Sequence, residues 1–244
     1  MNVHKIKKLI AIFWSIDKLW YLALLKYRVA PSIEHMKVLK SVRPDLVIDI
    51  GANRGQFSLA ALRAYPNAQV ICFEPLSSAY AVLAALLRSQ SRVVIHHIAI
   101  GDTETDMSMN ISNKEDSSSL LDISDLQAEI FPGTDRRDSE KVSVSRLSNF
   151  IPDDVLSKTI FIKIDVQGYE LEVLRGAIDM LSKVKYIYCE CSFLELYKNQ
   201  AVASEVIDFL SNQGFSLDGV YNLSSDRSGI AVQADCLFVN KKIS

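Results

Sequence analysis

The stretch that most constrains this chain is Leu46 to Gly55, LVIDIGANRG. A short apolar run ends in an acid, turns through glycines and enters an amphipathic segment. Strand, tight turn and helix in that order form the outline of a loop that holds a nucleotide cofactor at the carboxyl end of a strand.

The segments that follow repeat the rhythm. A helix is expected over 56–65, stopped by Pro66-Asn67, then a strand over 69–73 ending at Glu74-Pro75. A helix over 77–89 and a third strand over 93–100 follow, the latter ending at Gly101-Asp102. Such alternation predicts an α/β fold with a mostly parallel sheet, helices on both faces and right-handed crossovers. Ligands of such sheets sit beyond the carboxyl ends of the strands, where strand order reverses. Here the three consecutive ends carry Asp49–Gly55, Glu74 and Gly101–Asp102.

Residues 103–140 break the pattern. They are rich in Ser, Asp, Glu and Thr, with Met107, Met109 and Ile111 alternating as in a short strand. A segment this long is read as a flap over the substrate or as a passive insertion. Val142 and Val144 suggest another short strand. Residues 160–164, IFIKI, form a buried strand ending at Asp165 and turning at Gln167-Gly168. A helix over 169–181 follows, with Leu171, Val173, Leu174 and Ile178 inward. Then come a strand over 185–191, a helix over 201–212 and two closing strands, 215–221 and 234–240, paired antiparallel at one edge. The 244 residues are enough for one full α/β domain, 44–244, behind an N-terminal helical extension, 1–43.

The first 30 residues open basic and turn apolar. Asp17 and Lys18 interrupt the run before the ~18 residues of a membrane span, and no small-residue cleavage site follows. Ile6, Leu9, Ile10, Phe13, Trp14, Trp20, Tyr21, Leu24 and Leu25 fall at helical spacing. That helix can pack on the domain or on a second copy in a homodimer. It can also lie on a membrane surface with Lys5, Lys7 and Lys8 at the headgroups. A cytoplasmic chain, with membrane contact no more than peripheral, is the expectation. With 27 Lys+Arg against 29 Asp+Glu, nothing favours a nucleic acid partner. Cys72, Cys189, Cys191 and Cys236 sit in apolar runs without zinc spacing and read as buried free thiols.

The turn is D-x-G-A-N-x-G, lacking the third glycine of the dinucleotide fingerprint. It suits a cofactor with an amino-acid tail and no pyrophosphate, S-adenosylmethionine. Glu74, about 20 residues beyond the loop, stands where an acid accepts the ribose hydroxyls. The series VIDIGANRGQFS, CFEP, IAIGD, SSSLL, FIKIDVQGYELEVLRGA and CECSFLELYKNQ resembles the FkbM family of S-adenosylmethionine-dependent methyltransferases across roughly 44–240. The resemblance implies a seven-stranded Rossmann-like class I methyltransferase fold and methyl transfer, mostly to oxygen, onto a sugar or other small hydroxylated acceptor. Carried over by motif, Asp49, Gly51, Asn53 and Gly55 match the cofactor loop, Glu74 the ribose acid, and Gly101 and Asp102 the adenine edge. Ser118, Ser119 and Leu120 match the serine motif, and Asp165 the acid after the fourth strand. The chain departs from the family at Gln167, where an acid is common.

A sugar hydroxyl needs a base to become a good nucleophile. Asp165 is the first candidate, with holding the cofactor as its rival role. Glu190 is a second carboxylate at the rim, and His97, beside His96 near the end of the third strand, a third candidate base. Asp165 and Glu190 alone make a weak metal site, so no metal is expected. The competing readings are an NAD-type oxidoreductase, which the missing glycine disfavours, and a non-catalytic cofactor-binding or membrane-associated partner.

Overall fold

The computed structural model describes residues 17–243. The expectations placed on Ile6, Leu9, Ile10, Phe13, Trp14 and the early lysines lie outside those residues. Asp17 caps a short helix, α1 (Lys18–Leu22), by accepting from the backbone N–H groups of Leu19 and Trp20. A π turn over Ala23–Tyr27 ends at Arg28 in left-handed geometry. After a 3-10 turn (Ile33–His35) comes α2 (Met36–Ser41), and the α/β unit then begins.

In order, that unit runs β1 (Leu46–Ile50), α3 (Gln56–Ala64), β2 (Gln69–Phe73), α4 (Ser77–Leu87), β3 (Val93–His96) and β4 (Ala99–Ile100). It continues with β5 (Thr105–Ser112), α5 (Asp125–Ile130), β6 (Arg136–Ser145), β7 (Ile160–Ile164) and α6 (Glu170–Gly176). It closes with β8 (Val184–Ser192), α7 (Ala203–Asn212), β9 (Phe215–Ser225) and β10 (Ala231–Asn240). Seven strands form one sheet in the order β3-β2-β1-β7-β8-β10-β9. All pairs are parallel except those of β10, which runs antiparallel between β8 and β9. Strand order reverses between β1 and β7, and the main cavity opens there.

β1 and β7 are buried along their whole length, as a two-sided parallel sheet requires. Register sorts their side chains by face. Leu46, Ile48 and Ile50 join Ile160, Ile162 and Ile164 in the core toward α6 and α7. Val47, Phe161, Tyr188 and Leu237 face the other way, toward α3 and the N-terminal helices. Trp20, Val29, Val38, Leu39 and Val42 are buried there, each contributing about 1.5–3 kcal/mol gross. Trp20 Nε1 donates to the Leu59 carbonyl at 3.0 Å, and the Ser32 N–H donates to that of Gln56 at 3.0 Å. These bonds fix residues 32–35 above the carboxyl ends of β7 and β8.

Three sequence expectations need correction. The third strand is two strands: β3 ends at His96, and β4 belongs to a separate sheet of order β4-β6-β5. Residues 103–140 are not one loop: the short strand expected at Met107, Met109 and Ile111 is β5, which pairs antiparallel with β6, and the connection 113–135 carries a 3-10 turn and α5. The helix expected over 169–181 ends at Gly176, then becomes a 3-10 turn (Ile178–Lys183) that leaves Ile178 at the surface. Helix α6 stops where it crosses Gly101: a Cβ at Gly176 would lie 1.9 Å from the Gly101 carbonyl oxygen. All four cysteines are free and buried.

Candidate active site

A cavity of about 270 Å³ lies over the carboxyl ends of β1, β2 and β7. One end is built by the glycine loop. Gly51 has φ +80°, and a Cβ there would sit 1.9 Å from the Asp165 carbonyl oxygen, so only glycine lets β1 turn against β7. Asn53 is left-handed at φ 49°, and its N–H donates to Glu74 Oε2 at 2.7 Å. The Leu76 N–H donates to Glu74 Oε1 at 2.8 Å. Two backbone donors thus hold the carboxylate at the cavity wall, while burial pushes its pKa up to about 7. Phe73, Leu76, Ile98, Ala99, Ile100, Met109 and Leu120 add an apolar slot beside it.

Beneath the other end lies a layer of charge. Lys163 stands opposite Asp49 in the β1–β7 register and opposite Tyr188 in the β7–β8 register, so the three share one face. Its side chain is 4% exposed, and its ammonium is 2.8 Å from Asp165 Oδ2. Burial alone would raise the Asp165 carboxyl, but Lys163 and the Gln167 amide outweigh it and hold it below the usual carboxylate range. Gln167 is left-handed at φ 57°. Its amide donates to Asp165 Oδ1 at 2.7 Å and Glu190 Oε2 at 2.8 Å, and its Oε1 accepts from Tyr197 Oη at 2.9 Å. An acid here would face two carboxylates; the amide gives a proton to each. Burial, with Asp165 and Asp235 nearby, raises the Glu190 pKa well above its ordinary value.

The far wall comes from residues that sequence reasoning passed over: Ser32, Glu34 and His35 from the N-terminal segment, and Gln56 and Phe57 from α3. Gln56 Oε1 is buried and accepts no hydrogen bond among the described residues. His35 packs edge-on against Phe57 and Tyr188, with ring centroids 5.4 and 5.6 Å apart. The 113–135 connection closes the outside, placing Glu115, Asp116, Ser118 and Leu120 on the cavity, and Arg54 of the glycine loop pairs with Glu115 at 2.5 Å. Among the described residues no three of His, Cys, Asp and Glu gather as a metal set.

Residues 49–217 match the methyltransferase FkbM domain. The chain belongs to the FkbM methyltransferase family. NoeI, a 2-O-methyltransferase of Sinorhizobium fredii, is 29% identical over 180 residues, covering 69% of this chain and 72% of NoeI. The methyltransferase sdnD of Sordaria araneosa is 25% identical over 195 residues, covering 70% and 73%. Among solved structures, the candidate RNA methyltransferase PH1948 of Pyrococcus horikoshii superposes with a TM-score of 0.50 at 15% identity, over the whole of both chains. That likeness shows the fold, a Rossmann-like methyltransferase sheet.

An FkbM methyltransferase uses S-adenosylmethionine, and the cavity fits it. The apolar slot suits the adenine, the Glu74 carboxylate the ribose hydroxyls, and the turn at Gly51 and Asn53 the amino-acid tail. When bound, the cofactor supplies a methyl group on a sulfonium that reacts by in-line displacement.

Of the residues expected to line the site, Gly51, Asn53, Glu74 and Asp165 do so, and the others stand behind them. Asp49 is fully buried beneath the loop, where it accepts from Ser58 Oγ at 2.5 Å and ties β1 to α3. Gly55, at φ +95°, lets α3 start against Leu83. Ser119 donates to the Gln167 carbonyl at 2.6 Å and so holds the turn. Gly101 and Asp102 are off the cavity because the chain leaves the main sheet at His96; Ile98, Ala99 and Ile100 line it instead. Glu190 is screened by Gln167, and His97 stacks on Tyr80 at 4.3 Å outside the cavity. Of the three bases expected, only Asp165 reaches the cavity.

Proposed function

We propose that this FkbM methyltransferase O-methylates a small polyhydroxylated acceptor, a sugar or glycan unit, from S-adenosylmethionine. One observation carries the reading: the cavity end away from Glu74 is walled by Ser32, Glu34, His35, Gln56, Asp165 and Gln167 around the single ring of Phe57. Several hydrogen-bonding side chains with one aromatic platform match a ring that carries many hydroxyls, and the buried Gln56 Oε1 would stay unpaired against an apolar acceptor. The O-methyltransferase relative NoeI supports the same chemistry. On this reading Ser32, Glu34 and His35 of the N-terminal extension serve the domain 44–244 by walling the acceptor, and the reaction is cytoplasmic. No helix among the described residues is long and apolar enough to cross a membrane.

Labelled-methyl transfer onto a panel of monosaccharides, nucleotide sugars and short oligosaccharides, with a catechol and an RNA alongside, tests the proposal. Label on a sugar hydroxyl is the expected outcome. Label confined to the catechol or the RNA, or to nothing, overturns it.

A further inference from the structure

Methylating a hydroxyl requires a group to take its proton, and neither acid expected from the sequence, Asp165 or Glu190, is placed to do so. Asp165 is held as a weakly basic carboxylate by Lys163, and Glu190 is off the cavity with both oxygens bonded, to the Gln167 and Gln233 amides. His35 is at the acceptor wall, with its side chain 12% exposed. Its Nδ1 lies 3.1 Å from Tyr188 Oη, 3.2 Å from Asn222 Nδ2 and 3.5 Å from Asp235 Oδ2. The Asn222 amide donates to Asp235 at 2.7 Å, which holds that carboxylate in place. The two Asn222 amide protons have Asp235 and Tyr188 Oη as acceptors, so Nδ1 is free to donate toward the Tyr188 oxygen and the Asp235 carboxylate, and that tautomer leaves the Nε2 lone pair for a ligand. Nε2 makes no hydrogen bond among the described residues.

We propose that His35 is the general base of methyl transfer, with Asp235, Tyr188 and Asn222 as its positioning residues; this rests on the O-methylation reading. The acceptor oxygen attacks the methyl carbon, and a C–O bond forms as the C–S bond breaks. The C–S electron pair stays on sulfur, giving neutral S-adenosylhomocysteine, and the hydroxyl proton passes to His35 Nε2. The imidazolium then faces Asp235 until it loses the proton to water. Burial keeps His35 neutral near pH 7 by lowering its pKa. Asp235, Glu34 and Asp165 oppose that shift, and Lys163 adds to it. His35 precedes, and Asn222 and Asp235 follow, the segment 49–217 that matches the family domain. The base therefore comes from the chain that flanks that domain.

The test is ¹⁵N-histidine NMR of the full chain with S-adenosylhomocysteine, using His35→Gln to assign the signal. A neutral Nδ1–H tautomer at pH 7 that titrates below pH ~6.5 is expected, and Asp235→Asn should move that titration to lower pH. An Nε2–H tautomer or a charged ring at pH 7 overturns the proposal. On the sugar methylated in the panel, His35→Gln should lower kcat about 10²–10⁴-fold and abolish the acid limb of the pH profile. S-adenosylhomocysteine affinity should stay within about twofold. A kcat loss under about tenfold with the limb intact overturns the proposal. If His35→Gln does not fold, Asp235→Asn carries both readouts. If no sugar is methylated, the O-methylation reading fails while the tautomer still decides the role of His35.

Discussion

Replacing Lys163 with Met removes the only cation that pairs with Asp165 among the described residues and leaves two acids, Asp165 at the cavity and Asp49 beneath it. Breaking a buried pair by removing one partner costs about 3–5 kcal/mol. The lower figure applies, because the Asp165 side chain keeps 31% of its exposure on the cavity side while Lys163 keeps 4%. At about 2–4 °C per kcal/mol for a domain of this size, ~3 kcal/mol lowers the melting temperature by about 6–12 °C. The pH dependence checks the cause. In the native protein Asp165 titrates below its unfolded value, so its stabilisation is complete above about pH 4 and is lost as pH falls through the folded pKa. Without Lys163, burial dominates, the carboxyl moves above its unfolded value, and the sign reverses. The gap between Lys163→Met and wild type should then be wider at pH 8 than at pH 5. Thermal melts at both values, with Lys163→Met/Asp165→Asn as the rescue, measure this. A loss under about 1 kcal/mol, or a gap that narrows as pH rises, refutes the argument.

Gly51→Ala meets both a 1.9 Å contact with the Asp165 carbonyl and a left-handed backbone. It should cost more than about 2 kcal/mol in a denaturant melt and abolish S-adenosylhomocysteine binding. Glu74→Gln should weaken that binding about 10–150-fold in calorimetric titration, the range for hydrogen bonds to a charged group. Because burial pushes the Glu74 carboxyl up to about 7, wild-type affinity should climb between pH 6 and pH 8 as the charged acceptor forms, and the variant should lack the climb. Arg54→Ala breaks a pair whose arginine is 40% exposed, so thermal stability should change by no more than about 1 kcal/mol.

The parallel sheet was legible because its strands announce themselves: β1, β2 and β7 are apolar runs with an acid at the carboxyl end, Asp49, Glu74 and Asp165, and a glycine or proline within the next three residues. The cofactor end was legible for the same reason, since its residues follow one another in a single loop. The split of 93–100 was not, because nothing in VVIHHIAI marks a break. The break comes from His97 stacking on Tyr80 and from Ala99-Ile100 pairing with β6, both long-range contacts. Gly101, matched by motif to the adenine edge, lies instead against α6 at Gly176. Lys163 did leave a signal: a lysine inside the buried run IFIKI must be paired, and its partner was two residues on. His35 left none. Its partners Tyr188, Asn222 and Asp235 lie on three strands, and only the fold brings them to one imidazole.

The antiparallel insertion of β10 between β8 and β9 has a consequence for how the chain assembles. β9 touches the sheet only through β10, which follows it in sequence. β9 and β10 pair as a hairpin across the short connection 226–230, and until β10 docks, β8 presents an open edge beside buried β7. With the hairpin undocked, the β8 edge is left unpaired, the state most open to wrong pairing between chains. Asp235 sits on β10, so the partner of His35 is in place only when that hairpin is docked.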